Sequence, residues 1–316
     1  MGINKKELIQ VKKGSKLGAR ICFDWNFVVP RIDTCSTCDS LSNKVGNTGD
    51  NEKKKEAQMA LDFHHRKVEC ATKAMQADVR NAKHSDFYVI AYDMQQQIYV
   101  PQLTHSEMYY SRQLACCNLG IHDSDIENGF MCVLPETVGG RGSLEVAHCV
   151  YSYLTKQITT NKKKLIVWSD NCGAQNKNHI VLSMYLTLLA KDVVRTIATA
   201  KQKNLFVVAV FDGFHDWRSV AKNLNMTKLK ISEAAKIRLS RDQFGTPEVW
   251  KSHGALQFPT KTNILRKGVT IDDFATIEVN EQPTKHGIPE EKVAHIRAML
   301  PYLTNEAYEY YSQLLG

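Results

Sequence analysis

The chain lacks several features that would place it outside the class of intracellular globular proteins. No apolar run approaches the 18 residues that a membrane-spanning helix requires. The first residues, MGINKK, have no apolar signal core, and Lys6 stands where a myristoylation motif requires Ser or Thr. There is no internal repeat and no low-complexity tract. We therefore expect an intracellular protein with no membrane partner.

Acidic residues are also in deficit, with 33 Asp and Glu against 41 Lys and Arg, which gives a net charge of +8. This excess favours a polyanionic partner such as nucleic acid. Nine cysteines in an intracellular chain indicate free thiols and a metal site rather than disulfides. Five of them lie in apolar contexts and are interpreted as small buried side chains: Cys22, Cys116, Cys117, Cys132 and Cys149.

The sequence pattern divides the chain into four segments. Residues 1–51 are basic and irregular, and their Ser/Gly/Asn-rich part, 40–51, is typical of a loop. Residues 52–84 carry apolar side chains at steps of three and four, which predicts one long amphipathic helix. Residues 85–224 alternate β-rich runs with helical patterns and indicate an α/β core. Residues 225–316 form a less regular C-terminal extension that ends in a helical stretch after Pro289.

Two carboxylates follow apolar strand-like runs in the core. Asp93 ends the run that starts at Phe87, and Asp170 ends the run that starts at Leu165. Three strands, a helix, a strand and a helix form the order of a ribonuclease-H-like sheet, in which the first and fourth strands are neighbours that end in catalytic acids. If so, Asp93 and Asp170 would share Mg²⁺, since hard cations prefer oxygen ligands. Alternatively, each acid simply ends a strand.

The polar loop after Asp170 is a candidate nucleic-acid contact. Amide and cationic side chains there precede a long apolar-periodic helix, whose N-terminus is suited to phosphate. The loop residues concerned are Gln175, Asn176, Lys177 and Asn178. Tyr110 and Arg112 are further candidates, because aromatic rings stack on bases and guanidinium groups pair with phosphates. Asn178 would otherwise only cap the helix. The Gly-rich turn at 139–142 lacks the Gly-Lys-Ser/Thr of a phosphate loop.

A pair of cysteines suggests a second kind of site. Cys35 and Cys38 have the spacing of a zinc knuckle, in which two thiolates bind one side of a tetrahedral ion. His64 and His65 are the nearest candidates for a further ligand, and His64 lies on the apolar stripe of the long helix. Cys22 and Cys70 are weaker candidates for a fourth. The alternative is that His64 is a core histidine bound to a backbone carbonyl.

Several of these motifs, taken in order, resemble one family of animal proteins. That family carries a domain of unknown function that is similar to a transposase with a ribonuclease-H-like core. The matching motifs are DTCSTC at 33–38, the His64 helix, Asp93, YYSRQL at 109–114, NLGIH at 118–122 and SDNCGAQNKN at 169–178. The resemblance implies a ribonuclease-H-like mixed sheet with flanking helices, preceded by a Cys-x2-Cys segment and a long helix. It also implies DNA as the partner and a nuclear rather than cytoplasmic location.

The chain departs from this family after residue 194. The family pattern continues to another strand and to a Gly-His-Thr-type motif that supplies the third metal-binding acid, whereas here Val194 passes to a segment that the family places further on. We interpret this as an internal deletion. A rival alignment uses the run from Phe206 with Asp212 and Asp216 as replacement acids, and Glu136 is another candidate.

Loss of one ligand set should cost a two-metal site most of its activity. The leading hypothesis is therefore a transposase-derived protein that binds nucleic acid but is catalytically impaired. The alternatives are an active Mg²⁺-dependent phosphodiesterase and a protein-interaction module without catalysis.

Overall fold

The structure is a computed structural model that describes residues 35–125, 128–156, 162, 164–170, 172–194, 196–200, 208–210, 213–253, 258–278, 281–283 and 286–316. It is a mixed α/β protein with a mixed sheet and flanking helices. The chain divides into two compact units, Met1–Val68 and Glu69–Gly316. Across the helices described, none is both long enough and apolar enough to cross a bilayer.

The first unit contains helix α1 (Ser36–Asn47) and the beginning of helix α2 (Asn51–Ala82). The long helix predicted at 52–84 is thereby confirmed. The loop predicted at 40–51 is wrong over most of its length, because α1 continues to Asn47. Leu41 and Val45 are less exposed than their neighbours and lie four residues apart, so an apolar stripe exists on this Ser/Asn-rich helix. On α2, Ala57 and Leu61 are buried.

The second unit is built on a ten-stranded sheet with the path β11-β10-β9-β6-β5-β1-β3-β4-β7, from which β2 branches by pairing with β3. The strands that precede residue 170 are β1 (Phe87–Met94), β2 (Ile98–Val100), β3 (Leu114–Asp123), β4 (Asn128–Pro135) and β5 (Lys164–Ser169). Those that follow are β6 (Thr196–Ala200), β7 (Val208–Val210), β8 (Gly213–His215), β9 (Lys236–Ser240), β10 (Glu248–Trp250), β11 (Thr260–Lys261) and β12 (Glu281–Pro283). Strands β8 and β12 form a separate pair.

Helices cover both faces of the sheet. Besides α2, the helices of this unit are α3 (Ser143–Lys156), α4 (His179–Ala190), α5 (Trp217–Ala221), α6 (Ile271–Ala275), α7 (Glu290–Met299) and α8 (Asn305–Leu315). Strand alternation divides the core: Ile90 and Val167 pack with the cluster that includes α3 and α4, whereas Ala91 and Trp168 pack against the C-terminal part of α2. The near-continuous burial of α4 explains why its sequence is apolar on all sides.

The C-terminal helices close a separate small core. Ile296 and Met299 of α7 and Tyr311 of α8 pack on Leu114 at the start of β3. The helical stretch predicted after Pro289 is confirmed, but it consists of two helices rather than one.

Candidate nucleic-acid and metal sites

The two predicted acids lie at the same end of neighbouring strands. β1 and β5 are parallel and adjacent, and Tyr92 pairs with Ser169 in their register. Asp93 and Asp170 are the next residues along each strand, and both are half-buried. The prediction that these two strands are neighbours is confirmed. Because they pair in parallel, their carboxyl ends lie at the same edge of the sheet.

The Asp170 carboxylate closes the loop that follows it. Its Oδ1 accepts a hydrogen bond from the backbone N–H of Cys172 over 3.0 Å and a second one from the side-chain amide of Asn176. The backbone N–H of Asn176 in turn donates to the Cys172 carbonyl over 2.8 Å. Asn176 is buried by this arrangement. In this structure Asn176 therefore shapes the loop and holds Asp170, rather than presenting its amide to solvent.

Lys177 also points inward. Its ammonium donates to the backbone carbonyl of Ala234, which lies two residues before the start of β9. Partial burial lowers the pKa of Lys177, and the nearby Asp170 charge opposes that shift. The side chain thus ties the loop to the C-terminal extension and places a positive charge beside Asp170.

Asn178 caps helix α4. Its Oδ1 accepts hydrogen bonds from the backbone N–H groups of Ile180 and Val181, each over 3.0 Å. This satisfies two of the donors that every helix N-terminus leaves open. The alternative prediction, that Asn178 caps the helix, is therefore confirmed.

Gln175 connects the loop to the Gly-rich turn before α3. Its Nε2 donates to the carbonyl of Arg141 over 3.1 Å. The turn is closed by Glu145, whose carboxylate accepts from the backbone N–H of Gly140 over 2.9 Å and of Gly142 over 3.1 Å. Sequence reasoning did not single out Glu145. A glutamate at the third position of a predicted helix was the available signal, since such residues bond back to the N-cap N–H.

The candidates for a third acid are engaged elsewhere or lie outside the described residues. Both oxygens of Glu136 accept from Lys292 Nζ of α7, each over 2.7 Å. Asp216 caps α5, accepting from the Ser219 N–H over 3.2 Å, and hydrogen bonds from Ser219 lower its pKa. Asp212 lies outside the described residues.

Strand order also bears on the rival alignment that starts at Phe206. The strand next to β5 is β6. Strand β7, at 208–210, pairs with β4 and forms an edge strand of the sheet. The run from Phe206 therefore does not replace the strand next to β5.

The two candidates near the start of β3 differ in exposure. Tyr110 is 80% exposed and forms an edge-to-face pair with Tyr109, with ring centroids 5.1 Å apart. Arg112 is ion-paired with Glu291 of α7, and its backbone N–H donates to His295 Nδ1 over 2.7 Å. Tyr110 is thus available for stacking on a base, whereas Arg112 also attaches the C-terminal helices.

A groove of about 530 Å³ lies on the α2 side of the sheet, between α2 and β9. The formal charges of the side chains that line it sum to zero, because three are basic and three are acidic: Lys164, Lys236, Arg238, Asp78, Asp242 and Glu248. Such a groove carries no net positive charge, so a polyanion is not its natural occupant.

The cysteine pair and His64 come together in the first unit. Within the described ranges, one group of at least three His, Cys, Asp or Glu ligand atoms lies within 4.8 Å of one another, and it consists of Cys35, Cys38 and His64. Cys35 Sγ lies 3.2 Å from His64 Nε2. A tetrahedral zinc ion with ordinary bond lengths would hold these two atoms about 3.6 Å apart. The donor set therefore fits a metal ion after a small adjustment.

The local backbone favours a thiolate at Cys35. A hydrogen bond from the Cys38 backbone lowers the pKa of the Cys35 thiol to about 7, and His64 adds to this effect. Desolvation and the neighbouring Cys35 raise the pKa of Cys38. Of the two weaker candidates for a fourth ligand, Cys70 is an exposed free thiol outside the group, and Cys22 lies outside the described residues. Cys116, Cys117, Cys132 and Cys149 are buried, as predicted.

Comparisons with protein-family models, curated proteins and solved structures found no match.

Proposed function

We propose that this chain is a transposase-derived, ribonuclease-H-like protein that binds nucleic acid and is impaired in strand cleavage. The observation that carries the proposal is the strand arrangement β4-β3-β1-β5-β6, in which β1 is antiparallel to β3 and parallel to β5. A ribonuclease-H-like sheet has this order, with an acid at the end of each central parallel strand. Asp93 and Asp170 occupy those two ends.

Binding of DNA is supported by charge and by exposed side chains. The chain has a net charge of +8, and the side chain of Tyr110 is 80% exposed. DNA affinity should fall steeply with salt, because binding would release counterions from the phosphate backbone. A protein-interaction module would show no such dependence. A filter-binding or anisotropy titration from low to high salt distinguishes the two.

Impaired cleavage is proposed because two-metal catalysis requires fixed ligands on both ions. Asp93 and Asp170 supply hard oxygen ligands of the kind that Mg²⁺ prefers. Within the described residues, neither Asp93 nor Asp170 belongs to a group of three or more metal-ligand atoms. Bound Mg²⁺ would supply charge neutralisation at a phosphodiester, and Asp93 and Asp170 would hold it.

The decisive experiment combines Mg²⁺ calorimetry with plasmid cleavage. We expect weak Mg²⁺ binding and cleavage at background level, with Asp93→Asn and Asp170→Asn changing neither DNA affinity nor background cleavage by much. Robust cleavage that both substitutions abolish would refute the impaired state and favour the active phosphodiesterase. Glu136→Gln is the matched control, since its carboxylate is occupied by Lys292.

We also propose that Cys35, Cys38 and His64 hold a structural zinc ion. Metal analysis of purified protein should find zinc, and His64→Ala should lose it. His65→Ala is the matched control, because His65 is adjacent on the same helix but outside the ligand group. Folded, zinc-free protein would refute the site.

A further inference from the structure

The two cysteines of the ligand group are arranged for a chemistry that metal binding does not require. Cys35 has an extended backbone and immediately precedes α1, whereas Cys38 lies in the first turn of that helix. Cys38 therefore lies one helical turn after Cys35. The backbone of Cys35 lies outside the helix and is not held to helical dihedral angles. Their sulfur atoms already lie within 4.8 Å of each other. A small rotation at Cys35 would bring them to the bonding distance of a disulfide, about 2.05 Å.

The two thiols also differ in accessibility. Cys35 is exposed, whereas Cys38 is half-buried. An incoming reagent therefore meets Cys35 first, and Cys38 is placed behind it to attack the product. This is the arrangement of an attacking thiol followed by a resolving thiol.

We propose that Cys35 and Cys38 form a thiol–disulfide exchange site whose oxidant is a small-molecule disulfide. The Cys35 thiolate attacks one sulfur of the reagent, forming a mixed disulfide and releasing the first thiolate. The Cys38 thiolate then attacks Cys35 Sγ, forming the Cys35–Cys38 bond and releasing the second. The reagent takes up two electrons, and the two protons of the protein thiols pass to the released thiolates or to solvent.

Oxidation would remove two of the three donors in the metal group, leaving His64 alone. The metal would therefore be released as the disulfide forms. This second consequence rests on the zinc site proposed above, whereas the exchange reaction itself does not.

The test uses full-length protein and oxidised glutathione. We expect the free-thiol count to fall by two, with peptide mapping identifying a Cys35–Cys38 disulfide and a thiol reductant restoring both groups. Cys38→Ser should stop at one glutathione adduct on Cys35. The matched control is Cys70→Ser, because Cys70 is an exposed thiol outside the group and its loss should leave disulfide formation unchanged.

Zinc release, followed with a chromogenic chelator, separates this proposal from the previous one. Zinc-free protein that still forms the disulfide would refute the metal site and keep the exchange site. Adducts distributed equally between Cys35 and Cys70, with no Cys35–Cys38 bond, would overturn the exchange site whatever the metal content.

Discussion

The indole Nε1–H of Trp168 donates a hydrogen bond to Asp78 Oδ2 over 3.2 Å. The last buried residue of β5 before Asp170 is thereby fixed to helix α2. The Trp168 ring also stacks on the ring of His253, with ring centroids 5.9 Å apart. Contacts with Asp78 of α2 and with His253, in the segment after β10, thus both fix the strand end that precedes Asp170.

This contact leads to a prediction about pH. Burial raises the pKa of Asp78, although Lys236 partly opposes the shift. A carboxyl group whose folded-state pKa is raised destabilises the folded state at neutral pH, and that penalty disappears as pH falls through the folded pKa to the ordinary value, about 3.9. Asp78→Asn keeps an acceptor for Trp168 and removes the penalty. We expect the variant to gain stability at pH 7 and to lose the gain near pH 4.

Urea unfolding of both proteins across this pH range measures the effect. Trp168→Phe is the complementary variant, because it leaves the Asp78 carboxylate without the indole donor and should destabilise the fold. A stability difference between wild type and Asp78→Asn that does not change with pH would contradict the interpretation.

A second prediction separates capping from phosphate binding at Asn178. Asn178→Ala removes the acceptor for two backbone N–H groups and should cost about 1 kcal/mol in unfolding free energy. Asn178→Asp retains the cap but loses the hydrogen bond that Asn178 Nδ2 donates to the Gly173 carbonyl over 3.2 Å, so it should cost less stability than Asn178→Ala. If phosphate approaches this helix end, the added charge should weaken DNA binding. Equal DNA affinity of the wild type and Asn178→Asp would restrict Asn178 to its capping role.

A third prediction concerns the turn that contacts the Asp170 loop through Gln175. A Cβ at Gly139 would lie 2.5 Å from Phe214 Cζ, whereas at Gly140 the nearest atom, Glu145 Oε1, is 3.6 Å away. Gly139→Ala should therefore destabilise the protein by about 1–3 kcal/mol through overpacking. Gly140→Ala should be tolerated. Thermal melts of the two variants, side by side, give the comparison.

A fourth prediction concerns the attachment of the C-terminal helices. Lys292 and Glu136 are both largely buried from solvent, with side-chain exposures of 22% and 29%. A double-mutant cycle with Lys292→Met and Glu136→Gln should give a coupling of about 1 kcal/mol, at the upper end for surface pairs. The exposed pair Lys73 and Glu69 on α2 is the control and should show a smaller coupling, because both side chains are exposed to solvent. Equal coupling energies in the two pairs would show that burial does not strengthen the Lys292–Glu136 ion pair.

Much of the fold followed from local patterns. Spacing of apolar residues located α2, and β-rich runs located β1 and β5. These patterns can be recognised in the sequence because each depends only on residues within a single helix or strand. The Ser/Asn-rich helix α1 was missed for the same reason: its composition favours turns, and its apolar stripe has few members.

The sequence by itself determined that Asp93 and Asp170 lie near the ends of strands, that two residues separate Cys35 from Cys38, and that a helix begins after Asn178. Only the tertiary structure decided which groups meet. It brought His64 to Cys35 across 29 residues, Lys292 to Glu136 across 156, and turned Lys177 inward to Ala234. The physical reason is that hydrophobic periodicity and capping depend on neighbours along the chain. Strand pairing and ion pairing depend on which distant segments share a core, and that is set when the whole sheet packs.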